Sequence, residues 1–301
     1  MSLLTEAWDF VRNARLVRNA REYSSLIPDY LNSFPSPTES AALFASVHTY
    51  VMFIGLGRSG TTLVGALLDA HPRMVIARQL GALKYLWPVP FSRERIFRLL
   101  VRNSLKTARD GWPGGGGYSH AIAGQMQGRF EAIEVIGDKS RSAQSLEWFA
   151  SRPALLSRLA DTTRARIRML HVIRNPYDTI ATRSRRRRVS PEKVSREYFA
   201  LTGQLHELSG RIASHAGLDI KRIPVHLEDL ILDPKGQLAE LCYSLGVSPS
   251  EDYLEACAGI VYRKPSEPRR TIEWPAQLVS DIQHRMQEFP HLQRYSLAGD
   301  D

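Results

Sequence analysis

Residues 49–79 read TYVMFIGLGRSGTTLVGALLDAHPRMVIARQ, and this stretch decides the fold. Residues 49–54 are apolar and β-rich over the length of one strand. Residues 61–70 place their leucines on one face of a helix. The loop GLGRSG joins the two, and its three glycines permit left-handed backbone and the close approach of a ligand. The order of strand, glycine loop and helix predicts the first unit of an α/β domain.

The glycine loop has the chemistry of an anion site. A helix that begins directly after it presents unbonded N–H groups and the positive end of its dipole, which favours phosphate. The residues expected to bind the anion are Gly57, Arg58, Ser59, Gly60, Thr61 and Thr62. The spacing is close to the GxxxxGK[ST] loop of nucleotide enzymes, but Thr61 replaces the lysine that holds a triphosphate. The missing lysine argues against ATP or GTP as the ligand, and the polar side chains argue against a turn that binds no ligand.

The residues RSGTTL at 58–63, followed by LDAHP at 68–72, resemble the 5′-phosphosulfate loop of sulfotransferases that use 3′-phosphoadenosine 5′-phosphosulfate (PAPS). The Arg-Ser-Gly form is most similar to the carbohydrate and tyrosylprotein branch of that superfamily. The resemblance implies a P-loop-type α/β fold, with a central parallel sheet flanked by helices on both faces. It also implies PAPS as cofactor, 3′,5′-ADP as product and no metal.

A second motif supports this resemblance. The apolar strand predicted at 168–173 ends at Arg174, where Asn175 and Pro176 fit the N-cap and first position of a helix. Arg-Asn-Pro is similar to the motif at the 3′-phosphate site of the family, and an arginine fork matches phosphate geometry. The resemblance implies that Arg174 and Thr182 bind the 3′-phosphate, with Thr182 where relatives place a serine.

Two weaker features extend the cofactor site that the resemblance implies. The run RSRRRR at 183–188 fits three roles: it binds the 3′-phosphate, recognises an acidic acceptor, or forms a solvated basic face. The family places a further cation nearby, and Arg186 is the candidate. Ser266 and Arg270 lie in the neighbourhood of a C-terminal loop that closes over the 3′-phosphate in relatives, although this match is loose.

The transfer step requires placed cations. Negative charge develops on the bridging oxygen and spreads over the sulfuryl oxygens as the group moves in line to the acceptor. The residues GDKS at 137–140 follow a strand predicted at 132–136 and are similar to a segment of the family. The resemblance implies that Lys139 faces the sulfuryl group and that Arg58 contacts the same region. The alternative is a surface lysine after a strand.

The general base is less well defined by the sequence. Tyrosylprotein sulfotransferases have a glutamate shortly after the His-Pro pair, and this chain has Gln79 there, which argues against tyrosine sulfation. His120 is the predicted base because imidazole titrates near neutral pH. The other candidates are Asp110, Glu131 and Asp138. His120 follows the glycine-rich residues 110–117, which fit either a lid beside an acceptor pocket or a surface loop.

Composition and charge limit the possible domain organisation, partners and compartment. The chain has 301 residues, of which 43% are hydrophobic, and we expect one α/β domain at 49–301 after a helical N-terminal extension at 1–48. The net charge of +9 indicates anionic partners, and PAPS accounts for part of it. Two cysteines without a zinc pattern favour a reducing, cytoplasmic compartment. No apolar run reaches the roughly 18 residues of a membrane span, although the basic amphipathic start fits either a membrane surface or the domain itself.

The function predicted is the transfer of a sulfuryl group from PAPS to a hydroxyl of an acceptor. A small metabolite or lipid is preferred, then a carbohydrate, then a peptide tyrosine. The alternatives are a P-loop kinase that uses Mg-ATP and a non-catalytic protein that binds polyanions through residues 183–188. The missing lysine counts against the kinase. No specific nucleic-acid partner is expected, because the run lacks interleaved aromatics and a known binding motif. The oligomeric state stays open.

Overall fold

A five-stranded parallel sheet forms the centre of the computed structural model, which describes residues 26–36, 39–40, 42–87, 90–114, 117–215 and 217–299. The strand order is β2-β3-β1-β4-β5, and all neighbouring strands are parallel. The strands are β1 (Thr49–Ile54), β2 (Met74–Arg78), β3 (Val135–Lys139), β4 (Arg166–Ile173) and β5 (Ile220–His226). Every residue of β1 is buried, as expected for a central strand that is covered on both faces.

Helices follow most of the strands and complete the layers. They are α1 (Ile27–Leu31), α2 (Thr61–Asp69), α3 (Arg93–Arg109), α4 (Ser142–Ser151), α5 (Leu155–Thr163), α6 (Pro176–Arg187), α7 (Pro191–Ser214), α8 (Leu227–Leu232), α9 (Pro234–Leu245), α10 (Glu251–Ile260) and α11 (Ala276–Gln287). Short 3₁₀ helices cover Ala82–Leu86, Pro268–Thr271 and Pro290–Leu292. Among the described residues, no helix combines the length and apolar character of a membrane span.

Alternate residues of β1 belong to two different hydrophobic cores. Tyr50 and Met52 pack in a cluster with Phe97 of α3, whereas Val51 and Phe53 pack in a cluster with the leucines of α2. Successive side chains of a strand point to opposite faces of the sheet, so both faces are covered by helices. The α/β class with a central parallel sheet is thereby confirmed.

A third hydrophobic cluster fixes the C-terminal part of the chain. Tyr177 and Ile180 of α6 pack there with Ile282 and Met286 of α11. The hydroxyl of Tyr177 also donates to the carbonyl oxygen of Val279, 3.2 Å away. The packing of α11 on α6 holds the preceding segment near the carboxyl ends of β1 and β4, where α/β sheets bind ligands.

Two predicted elements differ in the structure. The third strand is Val135–Lys139 and not 132–136, because β3 pairs with β2 up to the partners Arg78 and Lys139. The sequence predicts a helical extension at 1–48, but residues 42–46 form turns. The guanidinium of Arg93 donates to the carbonyl oxygens of Phe44 and Val47, at 3.2 and 3.1 Å, and so satisfies acceptors that a helix would use. Residues 1–25, which contain the basic amphipathic start of the chain, lie outside the described residues.

Candidate active site

The glycine loop places unpaired backbone groups at the start of α2. The N-cap residue Gly60 has φ of 96°, and no side chain caps the helix, so the N–H groups of its first turn point to the loop without a side-chain partner. A Cβ atom on Gly60 would lie 2.6 Å from Cδ1 of Leu227, so only glycine fits. A Cβ atom on Gly57 would meet no atom within 4 Å, which leaves open space over the loop for a ligand.

Ser59 and Arg58 contribute to this loop in different ways, Ser59 through its side chain and Arg58 through its backbone conformation. The hydroxyl of Ser59 donates to the carbonyl oxygen of Leu56 at 2.8 Å, and the side chain is buried. Its side chain therefore stabilises the loop, and its backbone is left for the anion. Arg58 has φ of 80°, which is uncommon for a residue other than glycine. Backbone strain of this kind is found more often at functional sites than elsewhere.

A cavity of about 670 Å³, here called the cation-lined cavity, brings together residues from three segments of the chain. It is lined by Arg58, Arg174, Thr182, Arg185, Arg186, Ser266, Glu267, Pro268 and Thr271. Four guanidinium groups and one carboxylate line the cavity, so its net charge is positive. It unites the residues that the sequence predicted for the 5′-phosphosulfate and the 3′-phosphate. Burial, Arg186 and Arg174 all lower the pKa of Arg58, as crowded cations do.

Arg174 holds the centre of this cavity. Its side chain donates to the carbonyl oxygen of Arg58 at 3.3 Å, and to the carbonyl oxygen and hydroxyl of Ser266 at 2.8 and 3.0 Å. Only 9% of the residue is exposed, and burial lowers its pKa. One guanidinium thus ties the glycine loop to the C-terminal segment, and a fixed cation faces the cavity.

The C-terminal segment is anchored by Arg269, whereas the sequence pointed to Arg270. The backbone N–H of Arg269 donates to Oδ1 of Asp178 at 2.9 Å, and its guanidinium pairs with the same buried carboxylate. Arg270 instead lies 2.8 Å from Oε2 of Glu267 with 67% of its side chain exposed. The structure therefore does not bring Arg270 to the lining of the cavity. The tight turn of Pro268–Thr271 separates these neighbouring side chains.

An adjoining cavity of about 380 Å³ shares Arg58, Arg174, Thr182 and Ser266 with the first. We call it the aromatic cavity, and its further lining residues are Gly60, Thr61, Thr62, Leu63, Tyr118, His120, Leu227, Ile231, Tyr262, Lys264 and Pro265. The rings of Tyr118 and Tyr262 meet edge to face, with their centroids 5.6 Å apart. An anion site beside apolar and aromatic side chains suits a nucleotide.

His120 lines the aromatic cavity on an anchored part of its loop. Its backbone N–H donates to the carbonyl oxygen of Trp112 at 3.0 Å, and the Trp112 indole donates to Asp69 at 3.0 Å inside the core. Burial lowers the pKa of His120, and the charges of Arg78 and Lys139 lower it further. The imidazole is therefore neutral at neutral pH and can accept a proton. Residues 115–116 of the loop lie outside the described residues.

Lys139 is a buried cation at the end of β3. It is 5% exposed, and its amino group forms no hydrogen bond or ion pair with the described residues. Burial lowers its pKa to about 8, with Arg78 as the next cause. Arg58 acts in the same direction, so Lys139 lies within electrostatic reach of the glycine loop. It is not among the side chains that line the two cavities.

The carboxylates considered as bases have other positions. Asp138 accepts the N–H groups of Leu80 and Ala82, at 3.3 and 2.8 Å, and burial raises its pKa to about 6. It therefore holds a turn. Asp110 and Glu131 are exposed and line neither cavity. The described residues assemble no group of three or more His, Cys, Asp or Glu side chains that could hold a metal ion.

The parallel α/β sheet, the uncapped glycine loop and the second cation at the end of the neighbouring strand form a site that suits an anionic ligand. Residues 51–252 match the model of the sulfotransferase family, and the chain belongs to that family. Its class of reaction is accordingly sulfuryl transfer, with a hydroxyl-bearing acceptor. The branch that the Arg-Ser-Gly sequence indicated stays a prediction.

Solved structures with a similar fold have low sequence identity. A sulfotransferase domain from the curacin biosynthetic pathway is 16% identical, with 80% of this chain and 97% of that chain covered and a TM-score of 0.48. The sulfotransferase STF9 from Mycobacterium avium is 12% identical, with 98% and 86% covered and a TM-score of 0.49. A retinol dehydratase, in complex with androsterone and the inactive cofactor PAP, is 13% identical, with 92% and 95% covered and a TM-score of 0.38. No curated protein sequence matches the chain.

Proposed function

We propose that the protein transfers the sulfuryl group of PAPS to a hydroxyl group of an acceptor. The observation that carries this proposal is the meeting of Arg58, Arg174 and Thr182 at one cation-lined cavity of about 670 Å³. PAPS has a phosphosulfate at one end of its ribose and a phosphate at the other. Two anion sites that share a wall fit such a molecule, whereas a triphosphate needs one site with a lysine in the loop.

The residues present fit the two anionic ends. The backbone of residues 57–62 and the hydroxyls of Thr61 and Thr62 would hold the 5′-phosphate at the start of α2. Arg174, Thr182, Arg186 and Ser266 would hold the 3′-phosphate. Leu63, Leu227 and Ile231 line the adjoining aromatic cavity and offer the apolar surface that a purine requires. When bound, PAPS supplies an activated sulfuryl group on a phosphate leaving group.

The chain itself supplies charge and a proton acceptor. Arg58 and Lys139 are the cations placed to stabilise negative charge that spreads from the sulfuryl oxygens to the leaving oxygen. His120, kept neutral by its surroundings, takes the proton of the acceptor hydroxyl. The preferred acceptors remain a small hydroxylated metabolite or lipid, then a carbohydrate, then a peptide tyrosine. Gln79, with its neutral amide, contributes no base.

Thermal unfolding with and without nucleotides tests the cofactor. At a concentration of 100 times the dissociation constant, 3′,5′-ADP is expected to raise the free energy of unfolding by about 2.7 kcal/mol, while Mg-ATP leaves the melting temperature unchanged. Stabilisation by Mg-ATP alone would favour a kinase. Stabilisation by neither nucleotide, together with salt-sensitive binding to polyanions, would favour a non-catalytic binding protein. Labelled PAPS and a panel of hydroxylated acceptors then measure turnover.

Replacing His120 with Ala tests the base through the acidity of the acceptor. For an aliphatic alcohol, kcat is expected to fall on the order of 100-fold or more, because general-base catalysis is lost. For a phenol with a low pKa, the loss should be under about tenfold, since little proton transfer is needed. The measurement is kcat for both acceptors, with 3′,5′-ADP affinity as the control. Equal losses of kcat on both acceptors, or full activity on the alcohol, would mean that another residue is the general base.

A further inference from the structure

A third cavity, of about 250 Å³, opens at the carboxyl ends of β2 and β3. We call it the edge cavity, and it is lined by Gln79, Leu80, Gly81, Leu83, Lys84, Ser140, Arg141, Gln144, Ser145 and Trp148. Amides, hydroxyls, an indole and two cations face one space. No carboxylate occurs among the described residues that line it. This composition suits a hydroxylated ring that carries negative charge.

The edge cavity lies directly beside Lys139. The backbone N–H of Gln79 donates to the carbonyl oxygen of Lys139 at 2.9 Å, and Ser140 and Arg141 continue the chain from Lys139 into the cavity wall. The charges of Arg78, Arg58 and Arg141 act on Lys139, so the glycine loop and the edge cavity both lie within electrostatic reach of it. In-line transfer requires the acceptor oxygen on the side opposite the leaving phosphate. The edge cavity contains no residue of the glycine loop, so it is free for an acceptor when the phosphates bind at that loop.

The wall of the edge cavity is fixed by buried groups. Gln79 has φ of 56°, a left-handed conformation that is unfavourable for a residue other than glycine. The carboxylate of Asp138 accepts the N–H groups of Leu80 and Ala82 and holds the turn that follows. A strained residue held by a buried carboxylate places the Gln79 amide at the cavity. Such positions cluster at ligand sites.

Arg141 is the cation that the edge cavity leaves without a partner. Its guanidinium forms no hydrogen bond or ion pair with the described residues. The other lining cation, Lys84, is already 2.9 Å from Oδ2 of Asp29. Trp148 presents its indole to the cavity while Arg152 stacks on the ring, with its guanidinium carbon 4.2 Å from the centroid. An unpaired arginine fork matches a carboxylate, a sulfate or a phosphate.

We infer that the edge cavity binds the acceptor and selects a hydroxylated molecule with an acidic group, which Arg141 binds. This inference rests on the proposed function, because it places the sulfuryl group beside Lys139. Gln79 and Gln144 bind hydroxyls, and the indole of Trp148 contacts the carbon face of the ring. A small acidic sugar has this combination of features and fits a space of this size. The acid group sets affinity, and a separate hydroxyl beside Lys139 receives the sulfuryl group and gives its proton to His120, on which the charge of Lys139 acts.

A set of three matched acceptors tests the inference on the full chain. Methyl glucoside is neutral, methyl glucuronide carries a carboxylate, and glucose 6-phosphate carries a phosphate. We expect kcat/KM with labelled PAPS to be at least about tenfold higher for one or both acidic acceptors than for the glucoside. In the presence of 3′,5′-ADP, the favoured acid should also raise the melting temperature more than the glucoside does. The better acid identifies the anion.

The variant R141Q should remove this preference through KM and bring acidic and neutral acceptors within about twofold. The control is K193Q, which removes an exposed cation at the start of α7 and keeps the preference. Equal wild-type rates and equal thermal shifts for acidic and neutral sugars would overturn the inference, as would an R141Q variant that retains the preference. If 3′,5′-ADP still stabilises the protein in these cases, the proposed function stands and only the acceptor assignment fails.

Discussion

Arg174→Ala is expected to lose affinity for 3′,5′-ADP on the order of 100-fold. Only 9% of Arg174 is exposed, and its side chain lines the cavity with Arg58, Thr182 and Arg186. Hydrogen bonds to charged groups contribute about 1.5–3 kcal/mol each, and two such bonds to one phosphate give about 3 kcal/mol or more. The variant also loses the bonds from Arg174 to Ser266 and to the glycine loop. Isothermal titration with 3′,5′-ADP measures the change.

Arg270→Ala is the matched control for this experiment. Arg270 lies on the same C-terminal segment, but its side chain is exposed and paired with Glu267. Its removal should leave the affinity for 3′,5′-ADP within about twofold. Arg174→Lys keeps the charge without the fork and should give an intermediate loss, provided that the melting temperature shows a folded protein. A large loss in Arg270→Ala, or full affinity in Arg174→Ala, would mean that the 3′-phosphate lies elsewhere.

Sequence patterns with local causes predicted the loops that form the candidate site. The glycines at 55, 57 and 60 and the N-cap Asn175 act on their own neighbours, so their loops follow from the chain alone. The side chain of Asn175 accepts the N–H of Tyr177 at 3.0 Å, as the motif predicts. Because parallel strands end at the same edge of the sheet, the parallel topology alone predicts that Arg58 and Arg174 lie close together.

Features that depend on register and long-range contact could not be predicted. Lys139 belongs to β3 itself, because pairing with β2 extends to that residue. Arg269 and Arg270 are adjacent in sequence, and the partner carboxylate of Asp178, far along the chain, decides which of them is buried. The hydroxyl of Ser59 donates to the carbonyl oxygen of Leu56 within the loop, a contact that the sequence does not reveal. The edge cavity depends on the left-handed backbone of Gln79, and a glutamine gives no signal for that conformation.

Lys139→Met is expected to lower kcat on the order of 100- to 1,000-fold and to leave 3′,5′-ADP affinity within a few-fold. The buried ammonium has no partner in the described chain, so its charge is available to the transferring group. The product nucleotide lacks the sulfuryl group and therefore does not depend on that charge. Single-turnover kinetics with labelled PAPS and titration with 3′,5′-ADP measure the two quantities. Methionine also removes an unpaired buried cation, so the melting temperature should not fall.

The pH profile tests whether the transfer step depends on the positive charge of Lys139. Burial lowers the pKa of Lys139 to about 8, so the free enzyme holds the required ammonium below that pH and loses it above. The value of kcat/KM should therefore fall as the pH rises through about 8. Lys139→Arg keeps its charge throughout this range and should flatten the decline. The same shift in pKa means that the folded protein binds this proton less tightly than the unfolded chain, whose lysine has its ordinary pKa of about 10.4. The group therefore lowers the stability below about pH 8, and this cost fades as the pH rises.

A bound anion should make the pH dependence of kcat differ from that of kcat/KM. A phosphosulfate next to the ammonium favours its charged form, so the decline in kcat should occur at a higher pH than the decline in kcat/KM. A surface lysine without a role would show neither this separation nor the flattening in Lys139→Arg. An alkaline limb that persists unchanged in Lys139→Arg, or a loss of 3′,5′-ADP affinity as large as the loss of kcat in Lys139→Met, would remove Lys139 from the transfer step. Arg58 would then remain as the cation at the sulfuryl group, since it lines both cavities.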